Sequence, residues 1–288
     1  MRRFVALVVV FSALIASCSQ PEEAVQLVDS TRIVSLSGDI TEILFELGVG
    51  ERVVGVDVTT VAPEAATQLP IVGVGRFLTA EGALSAEPTL VIGDTQTAPA
   101  TTLDQIRAAG VKVEILDVPT SFDDLYQKIR VIGELLGREE QAEDLVTRLE
   151  AEVEDASAGA LTTSPRVAYV YTRGPDVNLL FGDGMTTRPL IEAAGAVDAG
   201  SEVGIVGTSS VTAEALVSAA PDVIVVPAEG VELLGGIEAF LELPGVGQTP
   251  AGERGAILAY PEGDFLTFGP RIADSLRLLI EDLAALQN

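Results

Sequence analysis

The chain has no histidine and a single cysteine, Cys18, which closes most familiar routes to chemistry. Without histidine there is no Ser-His-Asp triad, no Cys-His pair and no histidine metal motif. One cysteine allows no disulfide and no zinc-thiolate cluster. No G-x-S-x-G elbow occurs. Gly73-Val74-Gly75 opens like a dinucleotide loop, but position 78 is Leu and the stretch reads as a turn. Tyrosine, methionine and arginine are left to define a site, beside carboxylates that nothing arranges as a catalytic pair. Enzymes built from carboxylates alone stay open as an alternative, but nothing in the sequence points to one.

The amino end says where the chain works. Met1-Arg2-Arg3 is basic, Phe4 to Ile15 is an uncharged apolar run, and Ala16-Ser17 precede Cys18. Basic, apolar and small residues in that order make a secretory signal. The apolar run is shorter than the roughly 20 residues of a transmembrane helix. Residues 1–17 are expected to be removed and Cys18 to carry lipid, followed by a polar tether (18–30). The protein is then extracytoplasmic, in a periplasm or on the outer face of the cytoplasmic membrane, and anchored at Cys18.

Composition narrows the partners. The net charge is −26, and loss of Arg2 and Arg3 with the leader would make it −28. Nucleic-acid binding needs clustered Lys and Arg and is excluded as a function. With 288 residues and 48% hydrophobic content, the chain can fill the cores of two lobes.

The elements that would position a site alternate. From Arg32, strand-like runs (32–36, 53–56, 89–92, 111–116) alternate with helical patterns (39–47, 100–109). Leu90-Val91-Ile92 lacks polar alternation, as a parallel strand buried on both faces does. The pattern restarts at Arg166, with strands over 166–171, 223–226 and 256–260. Helices follow over 187–194 and 270–286, the last with Pro270 in its first turn. Between the blocks, Ser121 caps a helical stretch that passes Gly137 and resumes from Arg138 to about Ala156, where Leu145, Leu149 and Val153 at helical spacing read as a long connecting helix. Tyr126 falls on this stretch and Tyr260 on a late strand, away from any site. This is an α/β chain: an N-terminal lobe (31–120), a helical segment with one long bridging helix (121–163) and a C-terminal lobe (164–288).

An internal repeat supports two lobes. Residues 79–92 align without gaps on 212–225, each opening Thr-Ala-Glu, reaching a proline and entering an aliphatic strand. Each copy predicts a Thr-capped helix followed by a buried strand. Two such lobes leave a cleft where ligands bind.

At this point the chain resembles the ABC-transporter solute-binding proteins for haem, iron-siderophores and cobalamin, and most of all their haemin-binding members. The resemblance runs from about Arg32 to Leu286. It is carried by Arg32-Ile-Val-Ser-Leu-Ser-Gly-Asp-Ile-Thr-Glu42, Leu69-Pro-Ile-Val-Gly73, Thr79-Ala-Glu-Gly82, residues 243–252 and Phe268-Gly-Pro-Arg271. It implies two Rossmann-like lobes with parallel-rich sheets, no intrinsic cofactor, and haemin or a related iron chelate as transported ligand. The implied partners are an ABC permease and its ATPase, met by a monomer. Permease docking through one glutamate per lobe would fall on Glu81 and Glu214.

Haemin-binding members carry Tyr-x-Arg after the glycine matched to Gly73. Here the stretch reads Val74-Gly75-Arg76, which keeps the arginine and loses the tyrosine. Val74 cannot coordinate iron. Tyr171 and Met185 are the substitutes of suitable chemistry; Tyr169 points the same way as Tyr171 but lies deeper. Arg76, Arg173, Arg188 and Arg271 fall in predicted cleft loops and suit carboxylate-bearing ligands. Phe77, Phe181, Phe265 and Phe268 flank those loops, with Phe77 and Phe268 the expected apolar surface for a macrocycle. A siderophore or a corrinoid of the cobalamin type remains the alternative cargo, because it would not need the missing tyrosine.

Overall fold

A computed structural model describes residues 29–97 and 99–287. The signal segment, Cys18 and most of the tether lie outside these residues. Five strands form the first sheet: β1 (Ile33–Ser35), β2 (Val53–Asp57), β3 (Ile71–Gly73), β4 (Leu90–Asp94) and β5 (Lys112–Leu116). Their order is β3-β2-β1-β4-β5 and every pairing is parallel. All five residues of β4 are buried, which explains its unbroken aliphatic run.

The second sheet contains β6 (Arg166–Thr172), β7 (Asn178–Phe181), β8 (Val197–Asp198), β9 (Thr208–Ser210), β10 (Val223–Pro227) and β11 (Ile257–Tyr260). Its order is β11-β10-β6-β7-β9, with β8 beside β6. β11, β10 and β6 run parallel, while β6, β7 and β9 pair antiparallel. The sheets are thus parallel-rich, as read, with an antiparallel flank that the sequence did not announce.

The repeat folds as two equivalent units. Thr79 Oγ1 accepts from Gly82 N at 3.1 Å and Thr212 Oγ1 from Ala215 N at 3.1 Å. Each hydroxyl satisfies an N–H that the first helical turn leaves unpaired. The capped helices, Ala80–Leu84 and Ala213–Ala219, lead into β4 and β10.

The connection between lobes divides where the pattern seemed to continue. Ser121 caps helix Phe122–Leu136, accepting from Asp124 N. Gly137 then takes a left-handed φ of 64°, and Arg138 N donates to Gly133 O at 2.8 Å. That is a Schellman ending, which glycine permits at no steric cost. A second helix, Glu139–Ser157, packs back on the first. A Cβ at Gly133 would stand 2.4 Å from Ala142 Cβ, so the glycine is what lets the pair approach. The stretch read as the long connecting helix is thus a helix of its own, Glu139–Ser157, 19 residues or about 28 Å at 1.5 Å per residue, and it packs both on helix 122–136 and on the C-terminal helix Ile272–Ala285. The last helix likewise starts later than read, at Ile272, with Pro270 ahead of its cap.

Candidate functional site

In an open α/β sheet, the crevice forms beyond the carboxyl ends of the strands, where the strand order reverses. In the first lobe the reversal lies between β1 and β4. The residues at and beyond the ends of those strands, Ser37-Gly38-Asp39 and Asp94, Gln96 and Thr97, line a cleft of about 580 Å³. Asp57 after β2, Val74 after β3 and Pro119 beyond β5 complete that wall. The second lobe faces it with Tyr171 and Arg173 at the end of β6, Met185 after β7, Glu229 after β10 and Glu262 after β11.

Tyr171 is held at the mouth by its neighbours. It pairs with Leu179 across the β6–β7 hairpin, and its ring stacks on Phe181 at 5.9 Å between centroids. The hairpin turn closes through Arg173 N to Val177 O at 2.8 Å. Arg173 Nη1 donates to Tyr171 Oη at 3.2 Å, and Tyr171 Oη donates to Glu262 Oε1 at 3.4 Å. Arg173 and Glu262 also pair directly at 3.7 Å. The phenol oxygen thus sits between a guanidinium that donates to it and a carboxylate that accepts from it.

The opposite wall is built differently. Val58, Val61, Val74 and Phe77 form an exposed apolar band along its rim. Below them, three carboxylates are committed to local partners. Asp39 accepts from buried Lys128 Nζ at 2.5 Å and from Ser37 Oγ at 2.5 Å. Asp57 accepts from Thr59 N and Oγ1, and Asp94 from Gln96 N and Thr97 Oγ1. Burial pushes Asp57 up to about 6, with smaller repulsions from Asp94 and Asp39 and opposing hydrogen bonds from Thr59. Among the described residues, no group of three or more acidic or cysteine side chains could hold a metal ion.

The residues expected to bind ligand divide into three sets. Phe77, Tyr171, Arg173, Met185 and Phe268 line the cleft together. Arg76 contributes its backbone to the short 3-10 turn Gly75–Phe77 beside it, where Gly75 has a positive φ of 28°. Arg188 and Arg271 do not line it, contrary to expectation. Arg188 is tied to Asp183 and, at 2.7 Å, to Glu192. Arg271 pairs with Glu42 at 3.0 Å and Asp264 at 3.4 Å. Nearby carboxylates captured both guanidiniums. Phe181 lines the cleft, whereas Phe265 lies beneath it, stacked on Tyr260 at 4.7 Å. Tyr169 is 1% exposed, and its hydroxyl has no hydrogen-bond partner among the described residues. Glu81 and Glu214 are both exposed in the first turns of their helices.

Two features escaped the sequence reading. The cleft acids Asp57 and Asp94 end β2 and β4, and that position alone marks them. Tyr171-Thr172-Arg173 is itself a Tyr-x-Arg, in the second lobe instead of the first.

Comparison with known proteins agrees with this architecture. Residues 33–262 match the family model of the periplasmic binding proteins, and the chain belongs to that family. The periplasmic haem-binding protein RhuT of Roseiflexus sp. RS-1, solved in its apo form, is 42% identical. It superposes with a TM-score of 0.86 over 90% of this chain and 100% of its own. An ABC transporter substrate-binding lipoprotein of Bacillus subtilis, YvrC, is 33% identical over 46% of this chain and 43% of its own length. A cobalamin-binding protein of Halobacterium salinarum is 29% identical over 67% of this chain and 53% of its own. The chain thus spans about half the length of these two curated relatives. Among the described residues no helix is long and apolar enough to cross a membrane.

Proposed function

We propose that this protein is the substrate-binding component of an ABC importer, that its cargo is haemin or a closely related iron tetrapyrrole, and that Tyr171 ligates the iron. The observation that carries this reading is the Tyr171 hydroxyl, held between Arg173 at 3.2 Å and Glu262 at 3.4 Å in the cleft. Ligation requires the phenol to lose its proton. Glu262 is placed to accept it and Arg173 to stabilise the oxygen that then faces the iron. Phe77, Phe268 and the valine rim supply the apolar surface for the macrocycle, and Met185 is the other side chain able to ligate.

The rest of the reading follows from this role. Cargo is bound and handed on without turnover. Glu81 and Glu214 dock the loaded protein on a permease, whose partner ATPase supplies the energy. Lipid at Cys18 keeps the binder near that permease and raises its effective concentration there.

Titration with haemin tests the cargo. The expected result is a saturable Soret shift with tyrosinate-type bands that Tyr171→Phe removes. A spectrum unchanged by haemin overturns the reading.

One observation favours a second cargo. Asp57, Asp94, Glu229 and Glu262 all border the cleft. They would accept hydrogen bonds from the neutral amides of a corrinoid more readily than they would tolerate carboxylates. Cobalamin-binding relatives lend this weight. Thermal stabilisation by cyanocobalamin, without a haemin response, would select it.

A further inference from the structure

Phe268-Gly269-Pro270-Arg271 marks the family resemblance, yet only its phenylalanine lines the cleft. The remainder meets the other lobe. Gly269 lies against helix Gly38–Glu46, where a Cβ would stand 3.2 Å from Asp39 Cβ and from Glu42 Oε2. Gly263, six residues earlier, lies against Val61, and a Cβ there would be 2.5 Å from Val61 Cγ2. Neither glycine has a positive φ, so close approach and not backbone freedom requires them. Phe268 packs in a tilted pair, 5.3 Å between centroids, against Phe122, the first residue of helix 122–136. Arg271 Nε then donates to Glu42 Oε1 at 3.0 Å, across the seam between lobes. The Glu42 side chain is 5% exposed, while that of Arg271 is 40% exposed.

We propose that residues 263–271 form an interlobe latch that keys the second lobe onto helix Gly38–Glu46 and sets the width of the cleft. The lobes are then joined twice, by the helical connection 122–157 and by the latch, and cannot hinge about that connection alone. Cargo leaves when the seam parts. Arg271 is the accessible half of its pair, so an acidic group on a docked partner can compete for it and open the seam. The release step rests on the cargo reading above; the control of aperture does not.

Spin labels at Asp104→Cys and Glu238→Cys, one exposed site in each lobe, measure the aperture in a Cys18→Ser background. The parent should give a narrow distance distribution. The wedge Gly269→Val and the double variant Glu42→Gln/Arg271→Met should each shift it to longer distances and broaden it. The double variant removes the charges together and so decides the matter if the wedge fails to fold. In both variants haemin should dissociate on the order of tenfold faster. Distributions unchanged from the parent overturn the latch. A parent that binds no haemin overturns the cargo reading, and the distances still decide the latch.

Discussion

The first lobe turns toward the cleft a rim of valines and Phe77 above carboxylates that are already engaged. The second turns toward it a tyrosine, an arginine and a glutamate that hold one another loosely. The difference lies in what each polar group is for. Asp39, Asp57 and Asp94 satisfy turn N–H groups, threonine hydroxyls and Lys128, and so shape the strand ends. The Tyr171 cluster has contacts of 3.2 to 3.7 Å and is partly solvated, so a ligand can replace them at little cost. One wall is scaffold with an apolar face; the other is chemistry.

The largest test of that contrast removes Lys128. Its ammonium is buried against Asp39, with side chains 3% and 7% exposed. Lys128→Ala leaves a buried carboxylate unpaired and should cost about 3–5 kcal/mol in urea unfolding. Tyr171→Phe, on the other wall, should cost less than about 1 kcal/mol. Comparable losses would erase the distinction between scaffold and site.

The same wall should dominate the pH dependence of stability. Glu42 is raised from 4.5 to about 7, chiefly by burial and also by Asp39, against the opposing pull of Arg271. Asp57 is raised from 3.8 to about 6, again by burial first. For both groups the folded state binds its proton more tightly than the unfolded chain does. Their contribution is therefore complete below the unfolded values. It is lost as pH rises through about 6 for Asp57 and about 7 for Glu42. At about 1.4 kcal/mol per unit, the shifts bound the effect at about 3 kcal/mol for Asp57 and about 3.5 kcal/mol for Glu42. Denaturation curves at pH 5 and pH 8 should show the drop, and Glu42→Gln should flatten its upper part. A stability that climbs across this range in both proteins would contradict the assignment.

Ligand affinity should respond in the opposite place. Tyr171→Phe should weaken haemin binding by about tenfold to a hundredfold, a loss of about 1.4–2.8 kcal/mol. Val74→Tyr should strengthen it by offering a ligand from the apolar wall. If Val74→Tyr restores the spectrum lost in Tyr171→Phe, the walls are interchangeable in ligation and differ only in which one kept its tyrosine.

Much of this architecture could be read from the residues. Aliphatic runs without polar alternation marked β1, β4 and β10, and the Thr-Ala-Glu repeat marked two lobes. The misreadings share a cause, which is that local pattern does not report contacts distant in sequence. The helical period survives across Gly137, because Leu136 and Leu145 both face apolar neighbours although the chain reverses between them. β7 and β9 are short and pair antiparallel only because β6 supplies an edge. Arg271 was expected to reach the ligand, but Glu42 from the other lobe holds it, whereas Arg188 is taken by Asp183 and Glu192 within its own segment. Tyr171 was legible as a substitute for the tyrosine absent after Gly73, but that it lines the same cleft as Val74, from the other lobe, follows only from the fold.

The smallest effect on stability should come from the surface pair that treats the two lobes alike. Glu81 and Glu214 occupy equivalent first turns, each exposed and each behind a capping threonine. A carboxylate there complements the helix N-terminus by about 0.3–1 kcal/mol. Glu81→Lys with Glu214→Lys should therefore lower stability only slightly and leave haemin affinity unchanged, because neither residue lines the cleft. Transport in cells or reconstituted vesicles should nevertheless be lost, since both lobes would present the wrong charge to the permease. Either single reversal should leave partial uptake if the lobes dock independently. Full uptake by the double variant would remove these residues from docking and leave them as helix-end charges alone.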